Sequence, residues 1–177
     1  MAINYIWNAQ PNDTITRNGV TKLGAKQRKA TGDQNVVLTE LRAPGRTFNE
    51  RDKLTIVGHG APNANPGRKT LGGKQPEALA NLVVKGGFQK IPKIVLLMCG
   101  DEFADAVKDF AKFMRGFQYQ GVVVGYLAPL VVWESGKRMA TIPNPLQGMG
   151  ILDSGADEET ISAKGKKIVI GPNDPVD

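Results

Sequence analysis

Two stretches decide how this chain is read: Lys53-Leu54-Thr55-Ile56-Val57-Gly58-His59-Gly60 and Lys93-Ile94-Val95-Leu96-Leu97-Met98-Cys99-Gly100. Each is a short apolar run that stops at a chemically reactive residue beside glycine. The second run is apolar without alternation, as expected of a strand buried on both faces of a parallel sheet. Between them, Pro76 suits the first turn of a helix running to about residue 84, with Leu79, Leu82 and Val83 inward and Gly86-Gly87 closing it. A strand, a crossover helix and a second strand make a right-handed unit whose two strands are parallel. Their carboxyl ends then face one side, which is where open α/β sheets place their sites.

Working outward, Asp101 to Arg115 predicts an amphipathic helix. Phe103, Val107, Phe110, Ala111 and Met114 recur at helical spacing, acids stand in the first turn, Arg115 in the last, and Gly116 is a ready cap. Further strands are expected at residues 3–7, 36–41, 121–125, 138–142 and 167–170, with 130–133 either continuing the strand at 121–125 or beginning a new one after Pro129, and Ser135-Gly136 as a hairpin turn. Residues 8–35 are polar, basic and glycine-containing, and read as loop or mobile structure. Residues 61–75, with Pro62, Pro66, Gly67, Gly72 and Gly73, read as one long loop, a kind of segment that often carries function. The fold class is therefore α/β with a mostly parallel central sheet. A single domain spans 1–177, with a core at about 36–142 and extensions at 1–35 and 143–177.

Composition narrows the function. The 177 residues are 41% hydrophobic, enough for a core, and carry 21 Gly and 11 Pro. No apolar run approaches the roughly 20 residues that span a bilayer. Met1 to Trp7 lacks the basic start and long apolar stretch of a secretory signal. The expected location is cytoplasmic, or exported or injected without a cleaved signal peptide. The net charge of +6 is spread in small clusters without interleaved aromatics, so nucleic acid is a poor match as partner. One Cys and one His exclude an internal disulfide and a multi-thiolate metal site, and no metal is expected.

The chemistry follows from the pair. A free thiol with a pKa of roughly 8.5 is only slightly ionised at neutral pH. An imidazole beside it takes the proton and later returns it to a leaving amine. The start of a helix after Cys99 adds a favourable dipole. The backbone N–H groups of Gly60 and Cys99 are candidates for an oxyanion hole. A lone Cys closing an apolar strand is ordinarily a small buried hydrophobe, and a lone His among glycines is ordinarily structural. Their matched positions, each just past its own strand with one crossover between, make the pair more telling than either residue.

These two blocks, an apolar run into Gly58-His59-Gly60 and another into Cys99, resemble the clan of caspase-like cysteine peptidases. The Val57-Gly58-His59-Gly60 form, the helix start Gly73-Lys74-Gln75-Pro76-Glu77-Ala78-Leu79 and a strand pair around Gly136-Lys137 are most similar to the self-cleaving cysteine protease domains of large bacterial toxins. Those domains typically have Gly-Cys-Ser where this chain has Met98-Cys99-Gly100. The resemblance covers about residues 50–142. It implies a caspase-like three-layer sandwich, with Cys99 as nucleophile, His59 as base and acid, and the Gly60 N–H in the oxyanion hole. It places a substrate pocket on the strands after the nucleophile's helix, at Gly125, Tyr126, Trp133 and Glu134, with Glu134 or Asp101 selecting a basic side chain. Because the toxin domains are activated by inositol hexakisphosphate, it also nominates Lys137, Arg138, Lys164, Lys166 and Lys167 as anion-binding.

Three functions are expected in that order: a cysteine endopeptidase, self-cleaving or acting as a bacterial effector or toxin component on a peptide or protein substrate; a non-catalytic caspase-like scaffold binding a protein partner; and a basic anion-binding module.

Overall fold

The computed structural model describes residues 1–25, 33–62, 69–99, 104–126, 130–132, 138–142, 159–162 and 167–176. Strands β1 (Ile3–Asn8), β2 (Gln34–Leu38), β3 (Lys53–Pro62), β4 (Lys69–Leu71), β5 (Lys93–Cys99), β6 (Val122–Tyr126), β7 (Leu130–Val132), β8 (Arg138–Ile142), β9 (Glu159–Ser162) and β10 (Lys167–Ile170) alternate with helices α1 (Thr14–Ala25), α2 (Pro76–Lys85) and α3 (Ala104–Gly116). The main sheet runs β2-β1-β3-β5-β6-β10, and β4 is added against the end of β3. Its pairings from β2 to β6 are parallel, whereas β10 lies antiparallel on β6. A separate antiparallel sheet is formed by β7, β8 and β9.

Two apolar clusters define the layers. Leu54 and Ile56 of β3 and Ile94, Leu96 and Met98 of β5 pack with Leu79 and Val83 of α2 and with Val107, Phe110 and Met114 of α3. The alternate residues Val57 and Leu97, with Ile6, pack against Val20 and Leu23 of α1. Alternation along each strand thus sends successive side chains to opposite helix layers, a three-layer α/β arrangement. Full burial of a side chain such as Phe110, which has no exposed area, contributes about 1.5–3 kcal/mol.

Several expectations are corrected here. Residues 8–35 are not loop throughout, because Thr14–Ala25 forms α1. Asp13 caps it: its Oδ1 accepts the Thr16 N–H at 2.8 Å, satisfying one of the orphan donors of the first turn. The other end is tied down by Asn35, whose Nδ2 donates to the Leu23 carbonyl at 3.0 Å. Residues 61–75 are not one loop either. β3 continues through His59, and Gly60 to Pro62 pair antiparallel with β4. In α2, Leu79, Ala80 and Val83 are buried while Leu82 is exposed, because Leu82 points away from the 79–80–83 stripe. β9 is an additional strand.

The β2–β3 connection is organised by a buried carboxylate. Asp52, with no exposed area, accepts the N–H groups of Ile3 and Asn49, each at 2.8 Å, and pairs with Arg46 at 2.6 Å. Arg46 also donates to the Tyr5 hydroxyl, and Tyr5, Phe48 and Phe88 pack ring against ring. No helix among the described residues is long and apolar enough to cross a membrane.

Candidate active site at the carboxyl ends of β3 and β5

β3 and β5 run in unbroken parallel register from Lys53↔Lys93 to His59↔Cys99. His59 and Cys99 are therefore direct partners on adjacent strands, whose spacing is about 4.8 Å. His59 stands two residues beyond Val57, and Cys99 two beyond Leu97. Val57 and Leu97 both face α1.

The connection from β1 to α1 holds His59. Its Nε2 lies 3.0 Å from Oδ1 of Asp13, and both side chains are about one-third exposed (28% and 34%). The N–H of Thr16 and, against the opposing effect of burial, the His59 ring hold the Asp13 carboxyl below its ordinary value. A carboxylate only accepts hydrogen bonds, so the imidazole hydrogen belongs on Nε2 and the lone pair on Nδ1. The His59 main chain is fixed as well. Its N–H donates to Oε1 of Gln10 at 2.6 Å, and its carbonyl accepts the Gly72 N–H at 2.8 Å.

That last bond needs glycine. Gly72 has φ +59°, and a Cβ there would lie 2.4 Å from Cβ of Ala9. The β3–β4 hairpin and the β1–α1 connection thus approach backbone to backbone. Lys74 Nζ adds a bond to the Ala9 carbonyl at 3.3 Å.

Gly60 pairs with Leu71. With the Gly72 N–H bonded to the His59 carbonyl, this is the non-hydrogen-bonded kind of antiparallel pair. The Gly60 N–H is thereby turned away from β4 and toward β5, where the His59↔Cys99 pairing directs it to the Cys99 carbonyl and the Cys99 N–H to the Gly58 carbonyl.

The remaining expected residues are distributed more widely. Gly125 lies on the opposite face, where a Cβ would come within 2.4 Å of Val107 Cγ2; its lack of a side chain lets α3 approach β6. Tyr126 packs on the α1-side cluster with Val57 and Leu97. Asp101, Trp133, Glu134, Lys137, Lys164 and Lys166 lie outside the described residues. Arg138 begins β8 in the smaller sheet and Lys167 begins β10 in the main sheet. Among the described residues, no group of three or more His, Cys, Asp or Glu could hold a metal ion. A cavity of about 670 Å³ lined by Phe48, Ile91, Pro92, Gln118 and Val122 opens at the amino ends of β5 and β6, the end of the sheet away from His59.

Asp13 and Gln10 are the two residues that sequence reasoning missed. The available signal was Asp13 itself, a preferred N-cap residue after the turn-formers Pro11-Asn12 and three residues before Thr16. The chain matches no protein-family model, and no curated protein matches it.

Proposed function

We propose that the chain is a cysteine endopeptidase of caspase-like fold. The observation that carries the reading is the His59↔Cys99 register on adjacent parallel strands. The Asp13–His59 contact supports it, because it leaves Nδ1 as the basic nitrogen. The Cys99 thiol gives its proton to Nδ1, and the thiolate adds to the scissile carbonyl. The carbonyl oxygen, now an oxyanion, takes hydrogen bonds from main-chain N–H groups at this end of the sheet. Collapse breaks the C–N bond while the imidazolium protonates the leaving amine, giving a thioester. His59 then takes a proton from water, hydroxide adds to the thioester, and the carboxylic product leaves as the proton returns to sulfur. Asp13 stabilises the imidazolium and holds its ring, the part a carboxylate plays in a nucleophile–base–acid triad.

The test is the rate of Cys99 alkylation against pH in wild type and in His59→Ala. One thiol per chain makes the readout unambiguous. Wild type should react at pH 6.5 roughly tenfold or more faster than the variant, since a free thiol is only about 1% ionised there. Equal slow rates would sink the peptidase and leave the scaffold or the anion-binding module.

A further inference from the structure

We infer that Gln10 is a positioning residue that aligns His59 with Asp13, acting through its side-chain carbonyl. β1 ends at Asn8, which is in register with Val57. The last main-chain bond from the β1 segment to β3 runs from the Ala9 N–H to the Val57 carbonyl. In a parallel ladder the next donor in line is the His59 N–H, two residues on, and its acceptor would be the Ala9 carbonyl, which takes Lys74 Nζ at 3.3 Å instead. An N–H left without a partner at this place is costly. Oε1 of Gln10 receives it at 2.6 Å and so extends the ladder by one rung with a side chain.

The same residue sets Asp13. The Gln10 main-chain carbonyl accepts the Asp13 N–H at 3.0 Å and the Thr16 hydroxyl at 2.9 Å. Gln10 is itself fixed, because its N–H donates to Oδ1 of Asn8 at 2.9 Å. One residue thus ties both members of the Asp13–His59 pair to a common point, the main chain of Asp13 through its backbone and the main chain of His59 through its side chain. Errors of about 1 Å in such alignments cost up to 10²-fold in rate.

The inference rests on the peptidase reading only for its kinetic readout. The full-length chain is compared with Gln10→Met, which keeps the length and loses the acceptor, and with Gln10→Glu, which keeps an acceptor. The chain has a single histidine, so ring ¹⁵N shifts report its tautomer without assignment, and each variant's melting temperature confirms that it is folded during the measurement. Wild type and Gln10→Glu should hold the Nε2–H tautomer. Gln10→Met should show a mixture, with Cys99 alkylation at pH 6.5 slowed about five- to tenfold, the equivalent of one lost hydrogen bond. Gln10→Met matching wild type in tautomer, or Gln10→Glu failing like Gln10→Met, would overturn the inference. If wild-type Cys99 reacts no faster than free cysteine, the peptidase reading falls and the tautomer alone decides the role of Gln10.

Discussion

Oδ1 of Asp13 lies 3.0 Å from Nε2 of His59 and at the same time accepts the Thr16 N–H at 2.8 Å. One oxygen therefore caps a helix and faces an imidazole. The stability of α1 and the orientation of His59 are joined at a single atom, and α1 is a short, thinly packed helix with Val20 and Leu23 as its main apolar anchors.

The two duties separate by substitution. Asparagine is as good an N-cap as aspartate but carries no charge, whereas alanine does neither job. Asp13→Asn should keep the melting temperature near wild type, and Asp13→Ala should lower it by a few degrees. Both should slow Cys99 alkylation at pH 6.5, because neither leaves a carboxylate to stabilise the imidazolium. A normal alkylation rate in Asp13→Asn would show that the carboxylate serves the helix alone.

How far this was legible in the sequence depends on what each residue relies on. The apolar runs of β3 and β5 predict two buried parallel strands, and the residues that close them are register partners, so His59 and Cys99 were accessible from pattern alone. α1 was not. Its twelve residues include Gly19, Gly24 and three threonines, all weak helix formers, and one of its three buried positions is Thr16, whose hydroxyl is satisfied by Gln10. A helix with a polar residue in its buried stripe does not announce itself by hydrophobic periodicity. Asp13 and Gln10 were lost with it, since both reach His59 only because β1 lies next to β3. β4, three residues long, is too short for any period to register.

Asp52 makes a different prediction, about acid. Burial by itself would raise its carboxyl, but the N–H groups of Ile3 and Asn49 and the Arg46 guanidinium outweigh that and hold it below the ordinary 3.8. A carboxyl whose value is lower folded than unfolded adds stability that is complete above the unfolded value and disappears as pH falls through the folded one. Urea unfolding at pH 7, 4.5 and 3 should therefore show a steep loss of stability in wild type below about pH 4, and a shallower one in Asp52→Asn. Asp52→Ala should cost about 2 kcal/mol at pH 7, since it leaves the part-buried N–H groups of Ile3 and Asn49 and the Arg46 guanidinium without their acceptor. Parallel pH slopes in wild type and Asp52→Asn would show that other carboxyls govern acid unfolding.

Gly72→Ala tests whether the approach of the hairpin to the β1–α1 connection sets the site. The new methyl would meet Cβ of Ala9 at 2.4 Å, closer than Cβ contacts ever stand, and φ of +59° costs an L-residue about 1–2 kcal/mol without any clash. Overpacking adds about 1–3 kcal/mol, so the variant should lose more than backbone strain explains. The displaced segment is the one that carries Gln10 and Asp13, so Cys99 alkylation should slow as well. The companion Ala9→Gly removes the methyl that is struck. In Gly72→Ala/Ala9→Gly the alkylation rate should return toward wild type while the strain at φ +59° persists as lost stability. The clash lies between the two side chains and the strain within one residue, so only the former can be relieved from position 9. A double variant as slow as Gly72→Ala would mean that the left-handed backbone at 72, which directs its N–H to the His59 carbonyl, positions the imidazole by itself.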